Sequence, residues 1–212
     1  MENKHQNPIE TLSEIKQLME RSSRFISLSG LSGVFAGIYA IIGAGVAYWY
    51  LRINIETRVN YHDIINSDGI KTDFLLFFII DAGLVLLLAI VTGIVLTTRS
   101  AKKNNQSIWD KSAKRLVINM FIPLAVGSIF CLAILNLKLY GLIAPILLIF
   151  YGLALIHASK YTLGDICYLG ICEVVLGLIA SFFIGYGLLC WTIGFGILHI
   201  IYGILMYNKY EK

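Results

Sequence analysis

Six apolar stretches, each close to the length that crosses a membrane, constrain this chain more than any other feature of its sequence. A helix needs about 20 apolar residues to span the ~30 Å of hydrocarbon in a bilayer. Short polar segments separate the stretches, which together cover most of the 212 residues. We therefore predict an all-α membrane protein with six transmembrane helices at 25–51, 74–96, 116–137, 139–157, 166–184 and 186–207.

The composition supports this fold class. Hydrophobic residues make up 58% of the chain and charged residues 14%, whereas soluble domains are about 45–50% apolar. Very short connections, near 136–140 and 185–187, predict that the six helices form three antiparallel hairpins. The domain organisation that follows is a tail with an amphipathic helix at 1–24, a transmembrane domain at 25–207 and a second tail at 208–212.

The segment 1–24 has the pattern of a surface helix. Asn7 and Pro8 suit the start of a helix, and Ile9, Leu12 and Ile15 recur at helical spacing after them. We predict an amphipathic helix on the cytoplasmic surface, with a docking helix for a partner as the alternative.

Basic residues predict the orientation. With the amino terminus inside, the inner segments hold thirteen of the 17 Lys and Arg residues, and the outer ones hold only Arg52, Arg58, Lys71 and Lys138. Cytoplasmic loops are enriched in these residues, so we expect both termini in the cytoplasm and an even number of spans. The cluster at 99–115 is expected to contact anionic lipid, and the same distribution explains the net charge of +4 without nucleic acid.

Two ionisable residues stand among the glycines of the last two helices. Gly170 and Gly177 share a helix face with Glu173, and His199 lies between Gly196 and Gly203. Small residues let membrane helices approach closely, so both polar side chains should face protein. Both lie at a similar distance from the turn at 185–187, so they are expected to be partners at one depth. A structural hydrogen bond and a site for a proton or ion are the two interpretations.

Other polar residues extend this candidate site. Asp81 lies in the outer half of the second helix and is the next candidate. Asn119 and His157 lie toward the inner face and are secondary candidates. Together with Glu173 and His199 these residues suggest a relay for a small proton-coupled or solute-coupled transporter or channel, the alternative to a structural role.

Motifs for catalysis and for cofactors are missing from the sequence. It has no glycine-rich phosphate loop before a helix, no HExxH and no nucleophile elbow, so we predict that the protein is not an enzyme. The four cysteines form no CxxC and the four histidines are scattered. We therefore expect buried thiols, with a disulfide between Cys131 and Cys190 left open, and neither metal nor cofactor.

A family resemblance rests on the last hairpin. Its pattern resembles the repeated two-helix unit of small six-span bacterial acid-resistance membrane proteins. The pattern consists of Gly170, the run 176–180, Phe183, Gly185, the pair 195–196, Ile200 and the pair 203–204. The whole chain is similar to uncharacterised bacterial six-span proteins. The resemblance implies a stress-related inner-membrane protein without catalytic residues. Glu173 and His199 are not carried over from it, and Ile184 stands where that family has proline.

The expected role is therefore a structural or stress-related helical bundle in the membrane. Gly33 and Gly37 form a GxxxG pair in the first helix, which we assign to packing within the chain, although a homo-oligomer is compatible with it.

Overall fold

The computed structural model of the protein describes Phe25 and residues 28–54, 72–103 and 109–212. Within these residues the chain is helical and forms no strand. The predicted amphipathic helix at 1–24 and most of the loop between the first two helices lie outside the described residues. The helices are α1 (Gly30–Asn54), α2 (Thr72–Lys103), α3 (Lys111–Asn136), α4 (Ile143–Ala158), α5 (Ile166–Phe182) and α6.

α6 consists of three consecutive parts. It is α-helical over Gly187–Trp191, π-helical over Thr192–Leu198 and α-helical again over His199–Tyr210. A 3₁₀ turn at Ile184–Tyr186 joins α5 to α6, as the sequence predicts. In the part of the chain that the structure describes, five helices are long and apolar enough to cross a membrane, and α5 is a shorter apolar helix. The prediction of an all-helical, multi-pass membrane fold is confirmed at this level.

The first helix begins later than the sequence predicts, at Gly30 and not at residue 25. The Phe25 amide donates to the Tyr161 carbonyl, and the Thr162 hydroxyl donates to the Phe25 carbonyl at 2.6 Å. Because the Phe25 amide is bonded to another helix and not within a helical turn, this residue lies outside α1. Apolarity alone marks Phe25 as part of the first span, but its buried side chain packs at the end of the bundle.

Glycines set the contact between α1 and α6. A Cβ atom on Gly33 would lie 3.4 Å from the Gly203 Cα, and one on Gly37 would lie 2.6 Å from the Gly196 carbonyl. The two backbones therefore touch along this line, which excludes larger residues. The GxxxG pair of α1 is used within the chain, as expected.

A second glycine contact joins α4 to α5. A Cβ on Gly152 would lie 2.6 Å from the Gly170 carbonyl, and one on Gly177 would lie 2.9 Å from the Pro145 carbonyl. α5 thus packs chiefly against α4, and α6 chiefly against α1. The last two helices are neighbours in sequence, but each has its closest packing partner elsewhere.

α2 lies at the edge of the molecule. It packs against α1, and none of the residues in its most apolar stretch of 18 residues is buried. Its 32 residues make it the longest described helix, about 48 Å at 1.5 Å per residue. Lipid is the natural environment of such a surface.

Polar contacts gather at one end of the bundle, where α1 and α5 begin and α6 ends. The Glu211 carboxylate accepts from the Gly30 amide and from the Ser29 hydroxyl. Lys209 Nζ donates to the Asp165 carboxylate at 2.8 Å. These contacts place the three segments at the same end of the bundle.

Candidate intramembrane polar site

Glu173 and His199 meet inside the bundle with a third polar residue, Tyr151. Glu173 lies on α5, His199 on α6 and Tyr151 on α4, so the cluster joins three helices. Glu173 is 0% exposed and His199 is 6% exposed. The expectation that both face protein is confirmed.

His199 makes a contact through each ring nitrogen. Its Nδ1 is 2.9 Å from the Gly194 carbonyl oxygen, and its Nε2 is 2.8 Å from the Tyr151 hydroxyl. Nδ1 is also 3.4 Å from Glu173 Oε1, which lies within ion-pair range. The predicted proximity of Glu173 and His199 is therefore confirmed, because the shared depth of the two side chains brings them together.

The Glu173 carboxyl has an unusual environment. Both of its oxygens are buried, and neither has a hydrogen-bond partner among the described residues. His199 Nδ1 lies within ion-pair distance of Glu173 but forms no hydrogen bond with it, because the Gly194 carbonyl is the hydrogen-bond acceptor of this nitrogen.

The π-helical segment explains how Gly194 reaches the imidazole. Hydrogen bonds in a π-helix run over five residues, and such turns occur often at functional sites. Gly194 lies five residues before His199, and its carbonyl accepts from the side chain of that residue. A Cβ on Gly194 would overlap Glu173 Oε2 and would lie 2.5 Å from Leu148 Cδ2. Only glycine leaves room for the carboxyl group here.

Aromatic and aliphatic side chains close the cluster. The Phe195 ring lies 5.9 Å from the His199 ring and 4.9 Å from the Tyr151 ring, measured between centroids. Leu148 is fully buried beside Gly194. With these neighbours the polar side chains are enclosed by apolar groups, and electrostatic interactions are stronger there than in water.

The other predicted site residues lie elsewhere. Asp81 is half-buried on α2, where its carboxylate faces Gly43 of α1. Asn119 is half-buried and donates to the Arg115 carbonyl one turn before it, at 2.8 Å. His157 is exposed near the end of α4. The structure brings together Glu173 and His199 from the predicted set and does not join the other three to them.

Tyr151 is the residue that sequence reasoning missed. The sequence contains one weak signal for this residue, which is a Tyr-Gly pair. The pair occurs at 151–152 and again at 202–203, toward the same end of α4 and α6. The second tyrosine also contacts a polar atom, because its hydroxyl lies 3.9 Å from Cys172 Sγ. The repeat marks both tyrosines but does not say which one contacts an ionisable group.

Asp165, which lies between α4 and α5, is a contrasting acid outside the membrane spans. The hydrogen bond from Lys209 lowers the pKa of Asp165, partial burial opposes this effect, and a hydrogen bond from Tyr210 adds to it. This carboxylate has the donors that Glu173 lacks.

The four cysteines are free thiols, so no disulfide joins Cys131 to Cys190. No group of three metal-ligating side chains occurs among the described residues.

Comparison with protein-family models, with curated proteins and with solved structures finds no match for this chain. The resemblance carried by the last hairpin therefore stays a prediction.

Proposed function

We propose that this chain is a multi-pass protein of the bacterial inner membrane that serves as a structural or stress-related helical bundle. In this proposal six spans run as three hairpins in the order of the chain. An amphipathic helix precedes them, and both termini lie in the cytoplasm. The observation that carries the proposal is the buried cluster of Tyr151, Glu173 and His199. Each of these residues comes from a different helix, and His199 contacts the other two.

This cluster has the properties of a structural contact that holds helices together. α5 has its main contact with α4, and α6 has its main contact with α1. The side chains of Glu173 and His199 meet where these two pairs of helices adjoin. Polar groups that bond across helices hold a membrane bundle together when they are shielded from lipid, at about 0.6 kcal/mol per interaction on average.

The variant Glu173→Gln tests whether this contact is purely structural. The amide has nearly the shape of the carboxyl and adds donors, so we expect the variant to keep its fold and its stress phenotype. Expression, size-exclusion profile and unfolding in mixed detergent micelles measure the fold, and survival of a deletion strain carrying the variant under acid stress measures the phenotype. Loss of the phenotype in a variant that stays folded would contradict a purely structural role.

A second candidate is a small transporter or channel that is coupled to protons and uses Asp81, Glu173 and His199. The observation that favours it is the Glu173 carboxyl without a hydrogen-bond donor among the described residues, because an ionisable group inside a membrane is often functional. Purified protein in vesicles with a trapped pH-sensitive dye measures the flux. Dissipation of an imposed pH gradient no faster than in empty vesicles would exclude this function.

The partners that we propose are lipids and, for an oligomer, a second copy of this chain. Basic residues lie close together in the sequence at the end of α2 and the start of α3, namely Arg99, Lys102, Lys103, Lys111, Lys114 and Arg115. Such clusters attract anionic headgroups by about 1 kcal/mol per basic residue. Native mass spectrometry with phosphatidylglycerol and phosphatidylcholine in competition would measure lipid preference and oligomeric state together.

A further inference from the structure

The hydrogen bonds of His199 indicate which ring nitrogen carries a proton. The Gly194 carbonyl is an acceptor only, so the nitrogen 2.9 Å from it, Nδ1, must be the donor. The second nitrogen, Nε2, faces the Tyr151 hydroxyl at 2.8 Å. A hydroxyl can donate or accept, so the state of Nε2 follows from the surroundings of Tyr151.

Tyr151 favours a neutral imidazole. Among the described residues its hydroxyl has one hydrogen-bond partner, which is His199. If the imidazole were charged, Nε2 would donate to Tyr151 and the phenolic proton would have no acceptor. With a neutral imidazole Tyr151 donates to Nε2, and both ring nitrogens and the hydroxyl are satisfied.

Glu173 then faces no positive charge. The ion pairs of the described residues include no Lys or Arg beside it, and α1 approaches His199 with the backbone of Gly33. An isolated carboxylate in such a place costs several kcal/mol more than its neutral form. A bound proton removes that charge and makes one of the two oxygens a donor.

We propose that Glu173 and His199 form a binding site for one proton, held as the neutral carboxylic acid of Glu173 beside a neutral imidazole that is protonated on Nδ1. This inference rests on the proposed placement of the cluster inside the membrane and deepens both proposed functions, because it names the ligand. Glu173 and His199 do not make a site for a metal cation. Hard cations take six or more oxygen ligands, and no group of three metal-ligating side chains occurs among the described residues.

Gly194 is the positioning residue of this site. Its carbonyl holds the proton of His199 on Nδ1, the nitrogen nearest to Glu173. A proton on Glu173 therefore cannot pass directly to the imidazole, since the facing nitrogen is already occupied. Transfer requires the imidazole to change tautomer. This breaks the bond from Nδ1 to the Gly194 carbonyl and reverses the bond to Tyr151, whose hydroxyl must then accept from Nε2. In this conformation the site stores its proton.

Infrared spectroscopy of the full-length protein in vesicles tests the proton on Glu173. We expect a carbonyl stretching band of a protonated carboxyl group at neutral pH that is lost in Glu173→Gln and kept in the matched variant Asp81→Asn. A wild-type spectrum without this band, or a band that Glu173→Gln leaves in place, would overturn the proposal. Failure of the proposed structural function would be observed in a different way. It would be a loss of fold in Glu173→Gln, which unfolding in micelles measures separately.

Nitrogen NMR supplies a test that does not depend on Glu173→Gln. In a chain with His5→Gln, His62→Gln and His157→Gln, the remaining labelled imidazole is His199. We expect the signals of a neutral ring with its proton on Nδ1 at neutral pH. Signals of an imidazolium, or of the tautomer protonated on Nε2, would overturn the proposal.

Discussion

Asp81 and Glu173 are both single acids within apolar helices, but their helices pack in different ways. Glu173 lies on a face with glycines at 170 and 177, and the backbone of α4 touches both. Asp81 lies on α2 and faces Gly43 of α1, but a Cβ on Gly83, two residues on and on another face of α2, would meet nothing within 4 Å. Glu173 is therefore fully enclosed, whereas Asp81 is only half-buried. The comparison shows that the packing of the helix, more than the acid itself, determines whether a polar centre forms.

Substitution of the neighbouring glycines tests this difference most strongly. Gly170→Leu introduces a Cβ 2.7 Å from the Gly152 carbonyl, so α4 and α5 must separate. We expect a loss of about 3 kcal/mol in the free energy of unfolding, measured by SDS titration in mixed micelles with circular dichroism. Gly83→Leu is the matched control and should unfold like the wild type. Equal losses in the two variants would contradict the comparison.

Truncation of each acid should give the next largest effect. Glu173→Ala leaves a cavity between Leu148 and Gly194, so we expect it to destabilise the bundle by about 2 kcal/mol. Asp81→Ala removes a half-buried group and should change the stability little. The same micelle titration measures both. A larger loss for Asp81→Ala would mean that Asp81 is the more important polar group.

Tyr151→Phe sharpens the description of the enclosed acid. The change removes one hydrogen bond to His199 Nε2 and keeps the aromatic ring, so we expect a loss of about 1 kcal/mol. Tyr161→Phe, at the end of α4, is a control without this contact. Nitrogen NMR of His199 should also change, because Nε2 loses its donor; an unchanged spectrum would show that the hydrogen bond is absent.

Asp165 extends the comparison to an acid with hydrogen-bond donors, and the smallest effect is expected there. The hydrogen bond from Lys209 lowers its pKa, so its contribution to stability is present above the ordinary value near 4 and is lost as the pH falls through the lowered pKa. Asp165→Asn should be slightly less stable than the wild type at pH 7 and equal to it below both values. The contact is largely exposed, so salt should weaken it as well. A difference that persists in acid would assign the effect to packing.

The sequence predicts one part of the site and not the other. Glu173 and His199 lie about equally far from the turn at 185–187, and helix geometry converts this into a shared depth. Tyr151 cannot be found in this way, because it is one of 12 tyrosines and tyrosine is common in membrane helices. Its role depends on how α4 is rotated toward α6, which the local pattern does not specify.

The fold divides in a similar way. Six apolar stretches predict the helices, and glycine spacing predicts which faces approach closely. Spacing does not identify the partner, so the contacts of α5 with α4 and of α6 with α1 appear only in the structure. The π-helical segment is also unpredicted, because the sequence of 192–198 is compatible with an ordinary α-helix.

The π-helical segment divides α6 into two α-helical parts, each of which packs against a different helix. The part before it contacts α4, and the part after it contacts the glycines of α1. A turn closed over five residues takes up one more residue than a regular helix over the same length. If a single residue were deleted there, the contacts with α4 and the contacts with α1 could not both be kept. The number of residues in this helix is therefore constrained as strictly as their chemical type.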